Sequence, residues 1–210
     1  MAKIKSGILG PVSGRIGGVV GAKWKDVPVL RSYPISVANP NTSAQQNQRG
    51  KFGQCVAVAR LLLADLIHVF WDPFSRTMSG FNHFIQVNID AFGPESLISP
   101  STFYSARGVL SGIHDVVLGT SSSGKSIIVS WTDNSGIGDA LATDLLAVAW
   151  YDETTGKWKF DTTTVTRATE EATIPDPDLS IGDVLHAYPF FFRPDFSRIS
   201  DSSYCTYTIT

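Results

Sequence analysis

The stretch LLAVAWYDETTGKWKF, residues 145–160, combines two runs of strand-like residues with a turn between them. Leu145–Tyr151 is apolar, Thr154–Gly156 is a turn cluster, and Lys157–Phe160 alternates charged and aromatic residues. Alternation with a period of two predicts a β-strand that buries one face, and Thr and Gly favour tight turns. The stretch therefore predicts a β-hairpin within a packed sheet, with Trp150 in its core.

The same pattern continues over residues 103–210 and contains no helical period. The predicted strands are Ala106–Ile113, Asp115–Gly119, Ser126–Trp131, Leu145–Tyr151, Lys157–Phe160, Thr162–Ala168, Val184–Phe192 and Tyr204–Ile209. Turn clusters such as Thr120–Gly124 and Asn134–Gly138 separate them. Short strands with turns at this spacing predict an immunoglobulin-like or fibronectin-like β-sandwich, with Trp131 as a second core aromatic.

Residues 41–92 show a helical period instead. The apolar residues that recur at spacings of three and four are Phe52, Val56, Ala59, Leu63, Leu66, Ile67 and Phe70. Asn41, Thr42 and Ser43 offer N-caps, and Pro73 interrupts the pattern before a second helical stretch. This predicts a helical hairpin, which a linker at residues 93–102 joins to the sandwich. The predicted fold class is α+β, mainly β.

Residues 1–40 form a glycine-rich arm, in which six glycines fall between Gly7 and Gly21 among Ile, Leu and Val. The runs Gly18–Trp24 and Val27–Tyr33 predict a β-hairpin or a pair of edge strands. Glycine inside a strand costs roughly 0.5–1 kcal/mol relative to alanine, but it lets two backbones approach closely. We therefore expect the arm to lie against another chain. The alternative is a strand that completes the chain's own sandwich.

The predicted interface consists of apolar, basic and aromatic residues of the arm. These are Ile8, Leu9, Val12, Arg15, Ile16, Val19, Val20, Lys23, Trp24, Lys25, Arg31 and Tyr33.

The charge is unevenly distributed. Residues 1–60 contain nine Lys or Arg and one acidic residue, Asp26, which gives +8, whereas the whole chain carries −2, so residues 61–210 carry −10. This split favours docking of one subunit's basic arm on the acidic body of a neighbour, and it also suits a nucleic-acid-binding arm. The basic residues stand singly among apolar ones rather than in clusters, which favours the first interpretation.

Two cysteines, Cys55 and Cys205, provide no disulfide framework, and their positions predict buried free thiols. The opening MAKIKSG lacks the apolar segment of a secretory signal. The apolar run over residues 56–71 is broken by Arg60, Asp65 and His68, so no membrane span is expected. We accordingly expect a chain that is made in the cytoplasm.

GTSSSGKS, residues 119–126, satisfies the phosphate-binding pattern G-x-x-x-x-G-K-S through Gly119, Gly124, Lys125 and Ser126. That loop needs a helix after it, because the helix N-terminus and successive N–H groups hold the phosphates. Here the strand-like sequence IIVSW follows. The segment is therefore predicted to be a hairpin turn, and no nucleotide cofactor is expected.

The remaining polar residues suggest no catalytic centre. His68, His83, His114 and His186 have no Cys, Asp or Glu partner at the usual ligand spacing, so no metal site is expected. Asp133, Asn134, Ser135 and Asp139 have the oxygen donors of a calcium loop, although a plain loop between strands looks the same. No serine lies in a nucleophile elbow and no carboxylate pair suggests acid–base work. The sequence thus predicts no catalytic residues and no enzyme.

The segment PNTSAQQNQRGKF, residues 40–52, resembles the N-P-x-T-x-A-Q-x-x-Q-R-x-K-F signature of an uncharacterised family from Bacteroidota. The glycine-rich opening, the RSYP at residues 31–34, the SGFNHFIQVN at residues 79–88 and the C-terminal pattern are similar to that family as well. The resemblance implies an architecture and supplies no catalytic residue. Comparable N-P-x-T-x-A-Q segments are similar to those of phage-related structural proteins.

The expected function is a non-enzymatic structural subunit that assembles with copies of itself, and with other structural subunits in some assemblies. The expected setting is a virion or phage-like particle; the alternatives are a bacterial filament or surface fibre, exported by a non-classical route, and a nucleic-acid-binding module.

Overall fold

The computed structural model describes residues 2–3, 12–36 and 40–210. The chain divides into two compact units, Met1–Thr42 and Ser43–Thr210, which we call the arm and the body. The mainly β fold with few helices confirms the predicted class.

The described part of the arm is one antiparallel sheet in the order β1-β4-β3-β2. Its strands are β1 (Ala2–Lys3), β2 (Gly14–Ile16), β3 (Val19–Trp24) and β4 (Val27–Ser32). Lys25 and Asp26 join β3 to β4 with φ angles of 46° and 64°. Positive φ at both central residues defines the type I′ turn, whose twist matches that of the flanking strands. The hairpin predicted in this region is confirmed.

The body begins with a helical layer. Helix α1 (Ser43–Leu61) leads through a π-helical turn, Leu63–Ile67, into the short helix α2 (His68–Phe70). A 3-10 turn, Asp72–Phe74, follows, and α3 (Gly80–Asn88) begins where the Ser79 side chain accepts a hydrogen bond from the Asn82 N–H. The chain bends by 72° between α1 and the segment Leu63–Phe74. The break between the predicted helices is thus longer and more irregular than a simple proline turn.

In the described chain, no single helix has the length and apolarity needed to cross a membrane. Only α1 taken together with the bent segment Leu63–Phe74 meets that requirement, by length and composition.

Seven antiparallel strands form the sandwich, in the sheet orders β5-β6-β9 and β11-β10-β7-β8. They are β5 (His114–Thr120), β6 (Ser126–Thr132), β7 (Leu145–Asp152), β8 (Lys157–Thr166), β9 (Glu171–Pro175), β10 (Val184–Phe192) and β11 (Cys205–Thr208).

Strands β7 and β10 lie in the middle of the four-stranded sheet and are covered on both faces. Alternate residues of β7, such as Ala147 and Ala149, join the core shared with the helices, which also contains Leu66 and Phe70. The residues between them, such as Val148, pack towards the three-stranded sheet. Because successive side chains of a strand point to opposite faces, a centrally placed strand must be apolar throughout. The body therefore has three layers and two cores.

Three features of the sandwich differ from expectation. The strand predicted at Ala106–Ile113 is irregular and has a single parallel bridge, between Leu110 and Ser200. The two strands predicted on either side of Asp161 are one strand, β8, with a register shift in its pairing to β7. Strand β9 was not predicted, because its sequence EATIP is short and ends in proline. Pairing with a distant segment decides the first and third outcomes, and pairing within the β7–β8 hairpin decides the second.

A buried ion pair ties the loops at one end of the sandwich together. The Arg167 guanidinium is fully buried, lies 3.1 Å from the equally buried Asp144 carboxylate, and stands 3.9 Å from the centre of the Phe191 ring. It also donates hydrogen bonds to the carbonyls of Ser111 and Gly112. Pairing with Asp144 compensates the buried charge of Arg167, whereas Asp144 Oδ1 makes no hydrogen bond with the described residues and lies 3.8 Å from Arg193 Nε.

Candidate interaction surface

The pairing register places the predicted interface residues on two opposite faces of the arm sheet. Arg15 is paired with Val20, and Ile16 with Val19. Residues directly opposite each other in an antiparallel pair point to the same face, and neighbours along a strand point to opposite faces. One face, the Ile16 face, therefore carries Ile16, Val19 and Lys23, and the other, the Trp24 face, carries Arg15, Val20, Trp24 and Arg31.

The Trp24 face combines cations with aromatic rings. The Arg15 guanidinium lies 3.7 Å from the centre of the Tyr33 ring, and the Lys25 ammonium lies 5.3 Å from the Trp24 ring. Cation–π contacts of this kind contribute about 0.5–1 kcal/mol each at exposed sites. The first contact holds Arg15 and Tyr33 together over the sheet. Trp24 is 60% exposed.

The Ile16 face has exposed apolar side chains beside Lys23, and the Val12 backbone lies close to it. Ile16 and Val19 are exposed, at 64% and 40%. A Cβ atom at Gly21 would collide with the backbone carbonyl of Val12, so a glycine is required there by a contact within the arm. This corrects part of the sequence interpretation, since Gly21 has a structural role that needs no second chain.

The arm sheet has almost no core. Of the described arm residues, Gly21 and Val29 are the two that are buried, while large apolar side chains on both faces stay exposed. A sheet becomes stable when a second layer covers its apolar face. The described arm thus has apolar surface available for a partner.

The other predicted interface residues are distributed as follows. Lys23 lies 2.7 Å from Asp26 in an exposed ion pair, and Val12 is half-buried. Ile8 and Leu9 lie outside the described residues.

The GTSSSGKS segment forms the turn between β5 and β6, which confirms the predicted hairpin. The Gly124 N–H donates to the Ser121 carbonyl at 2.8 Å, and Gly124 has a φ of 67°. The Lys125 ammonium donates to the backbone carbonyl of Leu179. In a phosphate-binding loop this lysine would instead reach the bound phosphates.

Two histidines have carboxylate partners that their spacing did not reveal. His68 Nδ1 lies 2.7 Å from Asp72 Oδ2, one helical turn further on, and His186 Nε2 lies 3.1 Å from Glu153 Oε2 across the sheet. Each is a single pair. The described residues contain no group of three His, Cys, Asp or Glu side chains that could hold a metal ion.

The oxygen donors considered for calcium are engaged elsewhere. Asp133 accepts hydrogen bonds from the backbone and hydroxyl of Ser135, and Asn134 is buried against Arg167. Asp139 accepts from Ser111 and pairs with Arg198 at 2.7 Å, which together lower its pKa to about 2. These contacts join the loop after β6 to Ser111, Arg167 and Arg198, as expected for a loop with a structural role.

Both thiols are free, as predicted, but only Cys55 is buried, whereas Cys205 is half-buried. Burial raises the pKa of Cys55 to about 11 and that of Cys205 to about 12. Nucleophilic chemistry requires the thiolate, and both thiols stay protonated at neutral pH.

Comparison with known proteins gives a family and a set of weak structural likenesses. The fibronectin type III domain of human collagen α-1(XX) is 17% identical, with a TM-score of 0.36 over 48% of this chain and 86% of that domain. A structure described as a myokine is 16% identical, with a TM-score of 0.36 over 49% of this chain and 100% of its own. No match was found among curated proteins.

The seven-stranded sandwich is fibronectin-like by its own topology, with a sheet of three strands facing a sheet of four. A family model described as a family of unknown function, DUF6266, matches residues 11–206, which includes most of the arm and nearly all of the body. The chain therefore belongs to DUF6266, a family of unknown function.

Proposed function

We propose that this protein is a non-enzymatic structural subunit that self-assembles through its arm. The observation that supports the proposal most is the exposure of Ile16 and Trp24 on opposite faces of a sheet that has almost no core. Exposed apolar area of this kind contributes roughly 25 cal/mol per Å² when a partner covers it. A subunit interface would supply the missing layers.

The partner we propose is a second copy of the same chain. The arm, residues 1–42, contains six Lys or Arg and one Asp, which gives +5, and the whole chain carries −2, so the body carries −7 and the arm of one copy is electrostatically complementary to the body of another. Such complementarity guides association and fixes orientation, while apolar burial supplies most of the affinity. An arm that docks on a neighbour's body gives a head-to-tail interface, which builds a ring or an open polymer.

Sedimentation of the full chain and of a chain that begins at Ser43 tests this proposal. The shorter chain should be a folded monomer, because the body contains both buried cores. The full chain should form oligomers that weaken with salt without disappearing, since salt screens charges and leaves apolar burial intact. A full chain that stays monomeric at high concentration would contradict the proposal.

Point variants test whether self-association depends on the arm surface or on exposed apolar residues in general. Replacing Ile16 and Trp24 by serine should reduce self-association, because both side chains are exposed apolar groups of the arm. Ile181, which is 80% exposed on the body, gives the matched control. Equal loss of association in Ile181→Ser would show that the arm has no special role.

The assembly that we propose is a virion or a phage-like particle, put together from subunits made in the cytoplasm. The support is the similarity of the segment at residues 40–52 to segments of phage-related structural proteins. The alternative within the same class is a bacterial filament or surface fibre exported by a non-classical route. Electron microscopy of the assembled protein distinguishes a closed shell or ring from an open fibre.

Nucleic-acid binding by the arm is the second candidate function. Arg15 stacked on Tyr33, with Lys25 near the exposed Trp24, provides cations beside aromatic surfaces on which bases could stack. If this is the function, affinity for single-stranded DNA should fall steeply as salt increases, because phosphate binding releases counterions. Binding that is insensitive to Arg15→Gln and Trp24→Ser would argue against it.

The proposal that the protein is not an enzyme has its own test at the GTSSSGKS turn. Calorimetry with ATP and magnesium should give no binding, since the Lys125 ammonium is committed to the Leu179 carbonyl. Micromolar binding that Lys125→Ala abolishes would overturn the proposal.

A further inference from the structure

A cavity of about 630 Å³ in the body is lined by three arginines that are far apart in the sequence. Arg76 follows the 3-10 turn of the helical layer, Arg107 precedes the irregular segment at residues 108–113, and Arg198 lies before β11. Asp201 is the one acidic residue among those lining it, so the lining carries +2 with His83 neutral. This positive site lies in a segment, residues 61–210, whose net charge is −10.

Two of these segments are fixed to each other by backbone contacts. The Leu110 N–H donates to the Ile199 carbonyl at 2.9 Å, and a Cβ atom at Gly108 would collide with the Ile199 backbone. Asp201 also accepts a hydrogen bond from the Gly108 N–H at 2.9 Å. The backbone that carries Arg107 and Arg198 is therefore held in place before any ligand arrives.

Arg107 is oriented by its surroundings while part of its guanidinium stays available. Its Nε lies 3.4 Å from Asp201 Oδ1, and its guanidinium carbon lies 4.5 Å from the centre of the Tyr104 ring. Its two terminal nitrogens make no hydrogen bond with the described residues. A guanidinium that is held through Nε can present the other nitrogens as a fork, which matches the two oxygens of a carboxylate or phosphate.

The other two arginines add donors at the same cavity. Arg198 uses one terminal nitrogen, Nη1, to bind Asp139 at 2.7 Å and retains the other. Arg76 makes no hydrogen bond or ion pair with any residue in the described part of the chain. Three arginines with unused donors thus line one cavity, whose lining contains a single carboxylate, that of Asp201.

We propose that this cavity binds a compact polyanion, whose oxygens belong to phosphate or carboxylate groups. The three arginines would contact the anionic oxygens, and Phe74 and Val109 would contact any apolar part of the ligand. The site belongs to the body and is independent of self-assembly through the arm.

Titration calorimetry of the full chain at low ionic strength tests this site, with pyrophosphate and tricarballylate as separate probes. Binding of at least one probe is expected, and the stronger of the two identifies the preferred oxygen chemistry. Arg76→Gln and Arg107→Gln should each weaken binding by about tenfold or more, because each removes charge-assisted hydrogen bonds. Arg76→Lys should recover only part of the affinity, since an ammonium cannot form the fork.

The matched control is Arg60→Gln, which removes an exposed arginine of α1 that does not line the cavity. It should leave the affinity unchanged, and thermal melting should show that all variants stay folded. The absence of binding for both probes at millimolar concentration would overturn the proposal. Equal weakening by Arg60→Gln and Arg76→Gln would overturn it too, because the anions would then respond to overall charge alone.

Discussion

The molecule contains two four-stranded antiparallel sheets with opposite surroundings. The sheet of β7, β8, β10 and β11 has helices on one face and a second sheet on the other, so its two central strands are buried almost throughout. The arm sheet of β1 to β4 leaves Ile16, Val19 and Trp24 exposed. Local turns suffice to pair strands, whereas stability depends on the layers that cover them. We expect mutations to affect the two sheets very differently.

The largest effect should come from removing the buried cation of the body. Arg167→Met leaves Asp144 buried without its main partner, which should lower the free energy of unfolding by about 3–5 kcal/mol. Arg31→Met on the exposed arm is the control and should change it by less than about 0.5 kcal/mol. Denaturant unfolding measures both. Similar losses for the two variants would mean that the arm and the body are equally well buried.

Truncation in the core shared by helices and sheet should have the next largest effect. Leu66 is fully buried, and Leu66→Ala should cost about 2–5 kcal/mol through lost contacts and the cavity left behind. Leu61, at the end of α1, is 59% exposed, and Leu61→Ala should cost well under half of that. An unchanged melting temperature in Leu66→Ala would show that the helices do not cover the sheet in solution.

A change in the β3–β4 turn should strengthen the arm alone. Lys25 and Asp26 both have positive φ, which costs non-glycine residues about 1–2 kcal/mol each, and Asn-Gly is the preferred pair for a type I′ turn. Replacing them with Asn-Gly should slow amide exchange in β4 by about tenfold without moving the melting of the body. Asp26→Ala is the control, because it removes the exposed ion pair with Lys23 and leaves the turn unimproved. Faster exchange in the Asn-Gly variant would contradict the turn assignment.

The smallest effect should be a pH dependence that is confined to the body. Hydrogen bonds from Ser111 and the ion pair with Arg198 lower the pKa of Asp139 from 3.8 to about 2. A pKa that is lower in the folded state stabilises the protein above the unfolded value, and the contribution disappears as pH falls through the folded value. The stability difference between the natural chain and Asp139→Asn should therefore shrink between about pH 4 and pH 2. A difference that stays constant over this range would show that Asp139 has an ordinary pKa.

Much of the sandwich could be predicted because its signals are local. Strand β6 follows a turn cluster and alternates buried and half-buried residues, and the GTSSSGKS turn was identified from the strand after it. Phe52 is 51% exposed, which the helical spacing could not predict. Apolar residues at helical spacing show which side of α1 is apolar, but they do not show how far along the helix other elements pack against that side. Strand β9 gives too short a signal and is ordered by pairing with β6.

The sequence by itself determined most of the strands and turns, the division of charge and the presence of a glycine-rich arm. These features depend on residues a few positions apart, whose backbone preferences and periodicity act before the chain is compact. Only the tertiary structure decided that Arg167 pairs with Asp144, that Arg76, Arg107 and Arg198 line one cavity, and that the arm's interface residues divide between two faces. Those outcomes depend on contacts between distant segments and on strand register. A register shift of one residue moves every side chain of a strand to the opposite face of the sheet.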